Sequence, residues 1–291
     1  MRAMKLDQAK NEAARGLRWG EEARLRAIDV AAFWDGRVNR GGLIRLFGIS
    51  VPQATIDLRA YQLLAPDNLR YDTREKAYVA TDGFKPLFGP PEAEAWLMEE
   101  AGAPGSAMPI AMNPMPPRLV DPWLLRRVVA ARRGERALRV SYQSMDVPDP
   151  VWAWIAPSAF GFDGIRWHLR AYNFDTARYE DLLFPRILEI DGERPSGTVP
   201  VDEDWERIVD VRIAPAARLS ASQKAVIGRD YGMADGEVTV QVRAAMLGLF
   251  LRRLRLDLGD GLMEVRNRAE VEAVLRNVAG RFGVGREISA R

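Results

Sequence analysis

The 291-residue chain has no cysteine and only one histidine. The first absence excludes disulfides, thiolate nucleophiles and cysteine-ligated zinc or iron–sulfur centres. The second excludes histidine-rich metal sites. No apolar run approaches the roughly 18 residues that a membrane span requires. The first thirty residues, "MRAMKLDQAKNEAARGLRWGEEARLRAIDV", have no apolar core of the signal-peptide kind. The expectation is a cytoplasmic protein with no cofactor, no metal and no membrane partner.

What is present is ordinary in bulk and uneven in detail. Hydrophobic residues make up 47% and charged residues 28%, the balance of a soluble globular protein. The length suits about two domains of roughly 150 residues each. Net charge is +2, but residues 1–90 hold 15 Lys+Arg against 11 Asp+Glu, leaving 27 against 29 for the remainder. That excess permits an N-terminal contact with a polyanion.

From Glu21 to Trp34 apolar residues recur at Leu25, Ile28, Ala32 and Phe33, a helical period that Gly36 can end. "GGLIRLFGI" carries a second short apolar stripe. "SVPQATIDLRAYQLL" resumes the period through Ala54, Leu58 and Tyr61, with Ser50 and Gln53 at capping-box spacing. Two strand-like runs then flank a polar turn at Asp72–Lys76. This order of helices and hairpin is that of a winged helix-turn-helix. Between Lys85 and Pro122 proline is dense around one helix, "EAEAWLMEEA", which marks a connector. Four strand-like runs follow: "ALRVSYQSM", "VWAWIAPSAFGFD", "GIRWHLRAYNF" and "YEDLLFPRILEI". Beyond "DGERPSGTVPVDEDW" comes a mixed region, with strands "ERIVDVRIA" and "GEVTVQVRA" and helical spacing in "SASQKAVIGRDYG", "LGLFLRRLRLDLG" and "AEVEAVLRNVAGRF".

"RWHLRAYNF" followed by "YEDLLFPRILEI" resembles the WYL domain, a small Sm-like β-barrel of bacterial regulators. Here the naming run is Trp167-His168-Leu169, a departure at its middle position. With "VSYQS", "LSASQKAVIGRDYGM" and the upstream winged helix, the chain resembles the WYL-type repressors of BREX and CBASS anti-phage defence islands. The resemblance implies a multidomain α+β fold: a winged helix-turn-helix over 1–88, a Pro-rich connector over 89–120, a WYL ligand-sensing barrel over 121–197, and a C-terminal α/β dimerisation extension over 198–291. It implies a homodimeric repressor that binds an inverted-repeat operator in double-stranded DNA and senses a phosphate-bearing nucleotide or nucleic-acid effector.

On the helix from Val51 to about Leu64, inward Ala54, Leu58 and Tyr61 leave Gln53, Thr55, Ile56 and Arg59 outward. Amides and hydroxyls read base edges, and arginine suits guanine or phosphate. Arg70, Arg74 and Lys76 on the wing would meet phosphates. In a strand, residues two apart share a face. Arg166, His168, Arg170 and Tyr172 would therefore line one surface, opposite a buried Trp167, Leu169 and Ala171. The family's ligand-facing positions map onto Arg166, His168, Arg170 and Arg186, with Tyr142 and Ser144 from "VSYQS". Guanidinium forks suit phosphate. Relatives often carry His after the proline of the "IAP" strand, where this chain has Ser158. The packing alternative stands beside each: an arginine stem covering a sheet edge, or a satisfied core histidine.

Catalysis finds no support, because no motif sets a carboxylate beside His168 and no Gly-x₄-Gly-Lys phosphate loop occurs. The acidic run "DEDWE" reads as solvated. Dimerisation is expected from Val238, Val240 and Val242 with Leu247, Leu249, Phe250, Leu251 and Leu254. A reading from another class is an accessory protein that binds single-stranded nucleic acid and modulates a partner enzyme; the winged-helix segment favours the repressor.

Overall fold

The computed structural model describes residues 19–102, 108–259 and 261–281, with side chains as far as residue 278. Residues 1–18 of the N-terminal stretch, Pro104 of the connector and the end of the last helical segment lie outside the described residues. The chain divides into two compact units between Pro114 and Met115.

In the first unit, α1 (Trp19–Asp35) buries Leu25, Ile28 and Ala32. Helix α2 (Arg40–Phe47) starts where the Asn39 side chain accepts the Gly42 N–H at 2.9 Å, and it ends at Gly48, φ +62°. That left-handed residue reverses the chain at little cost only because it lacks a Cβ. Helix α3 (Val51–Leu64) begins at Ser50, whose hydroxyl accepts the Gln53 N–H at 3.3 Å. Strands β2 (Leu69–Asp72) and β3 (Ala77–Ala80) form the expected hairpin, and β1 (Arg37–Val38) pairs with β3 to give the order β1-β3-β2. Two residues are too few to show alternation, so β1 left no mark in the pattern. Leu25, Ile28, Leu43, Ala54, Leu58 and Tyr61 share one core.

Helix α4 (Ala93–Gly102) lies in the proline-rich stretch, yet Trp96 stacks on Trp34 at 4.7 Å between ring centroids. The helix is therefore anchored to the first unit.

The second unit opens with α5 (Pro122–Arg133), N-capped by Asp121. Strands β4 (Arg136–Tyr142), β5 (Val151–Phe162), β6 (Trp167–Asn173), β7 (Arg178–Leu183) and β8 (Ile187–Pro195) form one antiparallel sheet, in the order β7-β6-β5-β4-β8. The sequence shows four runs because the last is broken by a 3₁₀ turn, Phe184–Arg186, at Pro185. Its two halves go to opposite edges of the sheet. So short a link between the edges requires the sheet to curl, and a register shift in β5 between Pro157 and Ala159 lets it bend. The edges are not hydrogen-bonded to each other, so the sheet is open where the resemblance implies a closed barrel. Val128 and Ala131 of α5 pack on Leu138, Val140, Ile155, Leu169 and Phe184.

After α6 (Glu203–Glu206), β9 (Ile208–Pro215) is central in a second sheet between β10 (Val238–Arg243) and β11 (Met263–Val265). Helices α8 (Leu247–Arg253) and α9 (Arg268–Arg281) bury Leu247, Leu251, Val271, Val274 and Val278 against Val209, Val211, Ile213 and Val242. Helix α7 (Ala221–Asp230), whose capping box between Ser220 and Gln223 is complete, buries no residue.

Candidate nucleic-acid interface

Helix α3 is fixed from behind by two buried carboxylates. Asp29 accepts the Tyr61 hydroxyl proton and the Leu87 and Phe88 N–H groups, the latter two at 3.0 and 3.1 Å. Asn68 donates to the Tyr61 oxygen at 2.9 Å. Burial, together with Asp29, pushes the Tyr61 phenol well above its ordinary range. Asp57, 1% exposed, accepts both Nε (2.7 Å) and Nη2 (3.2 Å) of Arg24 and holds α3 against α1. Neither support was read from the sequence, because each joins residues about 30 positions apart. A weaker local signal did exist in the i, i+4 spacing of Gln53 and Asp57.

As expected, Ala54, Leu58 and Tyr61 face inward. Ile56 (57% exposed) and Arg59 face outward. Gln53 and Thr55 are half-buried and locally engaged. The Gln53 amide donates to Asp57 at 2.9 Å, and the Thr55 hydroxyl donates to the Val51 carbonyl at 3.0 Å. The capping box at Ser50 is thus only half formed, since the Gln53 side chain turns to Asp57. On the wing, Arg70, Arg74 and Lys76 are exposed. Asp72 accepts the Arg74 and Glu75 N–H groups and shapes the turn; those hydrogen bonds hold its carboxyl below the usual range. Acidic neighbours temper the basic rim: Arg70 lies 3.7 Å from Asp72, and Arg37 lies 3.3 Å from Glu75.

The row on β6 differs from its sequence reading. Trp167 is 50% exposed, whereas His168, Leu169, Arg170 and Ala171 are all buried, so both faces of the strand are covered. The cations have carboxylates of their own. Arg170, 1% exposed, donates from Nε (2.7 Å) and Nη2 (3.0 Å) to Asp202 and from Nη1 (3.2 Å) to Asp181. Its guanidinium is not an open cradle for an external anion. His168 Nε2 lies 2.8 Å from Asp163, the carboxylate that no motif supplied, and Arg166 Nε donates to the same oxygen at 3.1 Å. Burial opposes charge on Asp163. His168, the N–H groups of Arg166 and Ile165 and the Arg166 guanidinium outweigh that and hold its carboxyl at about 2. Burial pushes the Asp181 carboxyl up despite Arg170. The acidic run at 202–206 is likewise not simply solvated, because Asp202 and Asp204 are both buried.

The remaining members partly converge on the Phe184–Arg186 turn. The Tyr142 hydroxyl accepts the Leu183 N–H at 3.3 Å, and Leu183 pairs across the sheet with His168. The Arg186 carbonyl accepts the Gln143 N–H at 2.9 Å. The Ser144 hydroxyl accepts the Asp146 N–H at 2.9 Å. Tyr142, Ser144, Arg166 and Arg186 are half-buried. Among the described residues, no group of three or more His, Asp or Glu could hold a metal ion, and no helix is long and apolar enough to cross a membrane.

Residues 20–99 match the family model of the BrxR transcriptional regulator winged helix-turn-helix domain, a span that takes in part of α4. Residues 208–277 match that of the BrxR C-terminal dimerization domain. The DNA-binding transcriptional repressor CapW of Stenotrophomonas maltophilia is 40% identical over 83% of this chain and 85% of its own length. CapW of Escherichia coli (strain KTE188) is 34% identical over 92% and 96%. CapW of Pseudomonas aeruginosa is 34% identical over 93% and 97%. A solved structure, proteasome accessory factor B/C (PafBC) of Arthrobacter aurescens, overlaps 57% of this chain and 29% of its own at 18% identity and a TM-score of 0.23, too loosely to bear on the fold. With relatives this similar along nearly its whole length, and with both terminal domains matched, the chain belongs to the BrxR/CapW family of winged-helix transcriptional regulators.

Proposed function

We propose that this protein is a homodimeric repressor that binds an inverted-repeat operator through α3 and the β2–β3 wing, and whose affinity for DNA is set by an effector at the curled central sheet. The observation that carries the DNA reading is the exposure of Ile56 and Arg59 on a helix clamped from behind, with Arg70, Arg74 and Lys76 exposed on the wing of the same domain. One reading helix per subunit calls for half-sites separated by whole helical turns, in steps of roughly 34 Å. The test is a gel shift of the purified protein with DNA from upstream of its own gene against scrambled DNA of equal length. Equal shifts refute the proposal.

The dimer contact is proposed for a different face from the one read in the sequence. Val242, Leu247 and Leu251 are spent on the core of the C-terminal domain, with Val238, Val240, Phe250 and Leu254 packed against it. Exposed apolar surface in that domain includes Val226 (63%), Leu262 (55%) and Tyr231 (45%) along and beside α7, with Leu219 and Ile227 in an open groove, and Leu258 (61%) and Ile208 (48%) elsewhere; we place the contact on the α7 face because there the apolar residues share a groove. A second copy is the natural cover, since this region matches a dimerization domain, and an isologous contact presents one patch to itself.

The effector is a phosphate-bearing nucleotide or nucleic-acid end, held by Arg166 and Arg186 with Tyr142 and Ser144 near the Phe184–Arg186 turn. His168 and Arg170 support that site from within the sheet. Calorimetric titration of wild type and Arg186→Ala with nucleotides and short oligonucleotides tests this, and equal heats from both would refute it.

A further inference from the structure

The outward side of α3 is apolar but for one residue. Its exposed positions are Val51, Pro52, Ile56, Arg59 and Leu63. Pro52, Ile56, Arg59 and Leu63 follow the i, i+4, i+7, i+11 spacing and so lie in one stripe. Ile56 is 57% exposed and Leu63 83%. Single exposed apolar residues are ordinary on a surface, but a continuous stripe points to a contact. The helix cannot turn to cover it. Asp57, next to Ile56, is 1% exposed and bound to Nε and Nη2 of Arg24 at 2.7 and 3.2 Å. Tyr61, fully buried, is bound to Asp29. A rotation that buried Ile56 would expose the carboxylate and the phenol together.

From this face we infer that Ile56 is a specificity-determining residue that selects thymine through its C5-methyl group. The inference rests on the proposed reading of α3 as the DNA-contacting helix. An isoleucine side chain has no hydrogen-bond donor or acceptor, so it cannot answer the polar pattern of a base edge. In the major groove the one apolar substituent on offer is the thymine methyl. Ile56 precedes Arg59 by three residues, which puts their Cβ atoms about 5–6 Å apart on the helix surface. At roughly 3.4 Å per base step, the thymine should lie within about two base pairs of the position that Arg59 contacts. DNA, and not a second protein, is the occupant that fits the cation within the stripe and the match of residues 20–99 to the winged helix-turn-helix of a transcriptional regulator.

The experiment deletes one methyl group from the DNA. A preferred site is selected from randomised duplexes with the full-length protein, and the position blurred by Arg59→Ala is located within it. Each thymine of either strand within about two base pairs of that position is then replaced by deoxyuridine, which removes the C5-methyl and leaves every hydrogen-bonding atom in place. At one of them wild type should lose about fourfold in affinity per half-site, the equivalent of roughly 0.8 kcal/mol for one buried CH₂ group. Ile56→Ala should bind the two duplexes equally. Alanine is the better helix former and the position is exposed, so this variant keeps the fold. Uracil also alters duplex flexibility, so a converse substitution accompanies it. Where cytosine replaces that thymine, 5-methylation of the cytosine should strengthen binding by wild type and not by Ile56→Ala.

The inference is overturned if the selected site has no thymine within that distance, if deoxyuridine leaves wild type unchanged at every one of them, or if it weakens wild type and Ile56→Ala alike. It is also overturned if Ile56→Ala changes the oligomeric state by light scattering, which would give the stripe to a contact between protein copies. A protein that selects no sequence, or one whose site is read identically after Arg59→Ala, defeats the prior reading of α3 instead, and so is told apart from a selective protein that ignores the methyl.

Discussion

Removing Asp202 should destabilise the second unit far more than the loss of one surface acidic residue would. Arg170 is 1% exposed and has two of its donors on Asp202, at 2.7 and 3.0 Å, and a third on Asp181 at 3.2 Å. In Asp202→Ala the buried guanidinium loses two of its hydrogen bonds and keeps Asp181, with the Tyr179 ring 5.6 Å away. Breaking a buried pair from one side typically costs about 3–5 kcal/mol, because the surviving charge stays desolvated. The remaining carboxylate moderates the loss, but Asp202 also accepts the Trp205 N–H at the start of α6, so a cap worth about 1 kcal/mol goes with it. A net cost of about 3 kcal/mol in a unit of this size lowers its melting temperature by roughly 6–12 °C. Calorimetry with tryptophan fluorescence would read it, Trp205 lying three residues from the substitution. The double variant Arg170→Met/Asp202→Leu should cost less than either single change, since only Asp181, whose carboxyl burial already pushes up, is then left without its partner. A transition unmoved in Asp202→Ala, or a difference between variant and wild type that vanishes in 1 M salt as for an exposed pair, would refute the argument and return Arg170 to the groups open to an external anion. By the same logic, Arg170→Ala is a poor probe of effector binding; Arg186, half-buried where Arg170 is 1% exposed, is the better position.

Arg59→Ala should lower operator affinity and blur discrimination at one or two base pairs, by about 1–3 kcal/mol if the contact is bidentate. Arg74→Ala should instead weaken operator and random DNA alike and reduce the salt slope by about one; the opposite pattern in filter-binding titrations would exchange the roles of helix and wing. Asp163, held at about 2 in the fold against about 3.9 unfolded, contributes on the order of 2–3 kcal/mol that is present above the unfolded value and is lost as pH falls through 2. Asp163→Asn should accordingly flatten the acid limb of the stability profile, and an unchanged profile would contradict the pairing. Val226→Glu on α7 should yield a monomer by light scattering at micromolar concentration and lose tight operator binding, whereas a persistent dimer places the contact on another face.

Much of the architecture is legible in the sequence wherever the determinant is local. The inward face of α3 follows from the helical period of Ala54, Leu58 and Tyr61, its start from Ser50, and the wing from two short runs around a polar turn. The complete capping box at Ser220 and Gln223 is set by a spacing of three. Tertiary structure decided whatever depends on what covers a face. Alternation marks Arg166, His168 and Arg170 as one side of a strand. It says nothing of Asp202, 32 residues further on, folding over Arg170 and supplying the counter-charge that an external anion was expected to bring. Most apolar residues of β10 and α8 look available because periodicity reports chemistry and not partners; in the fold all but the half-buried Leu249 join the core with β9 and α9, and exposed apolar residues are left on α7 among other places. The curl of the central sheet follows from where the two strands flanking Pro185 sit, on opposite edges joined by a three-residue turn, which one apparent run in the sequence conceals. A pattern along the chain fixes which side chains share a face, and only the arrival of distant segments determines whether that face is paired, buried or left for a partner.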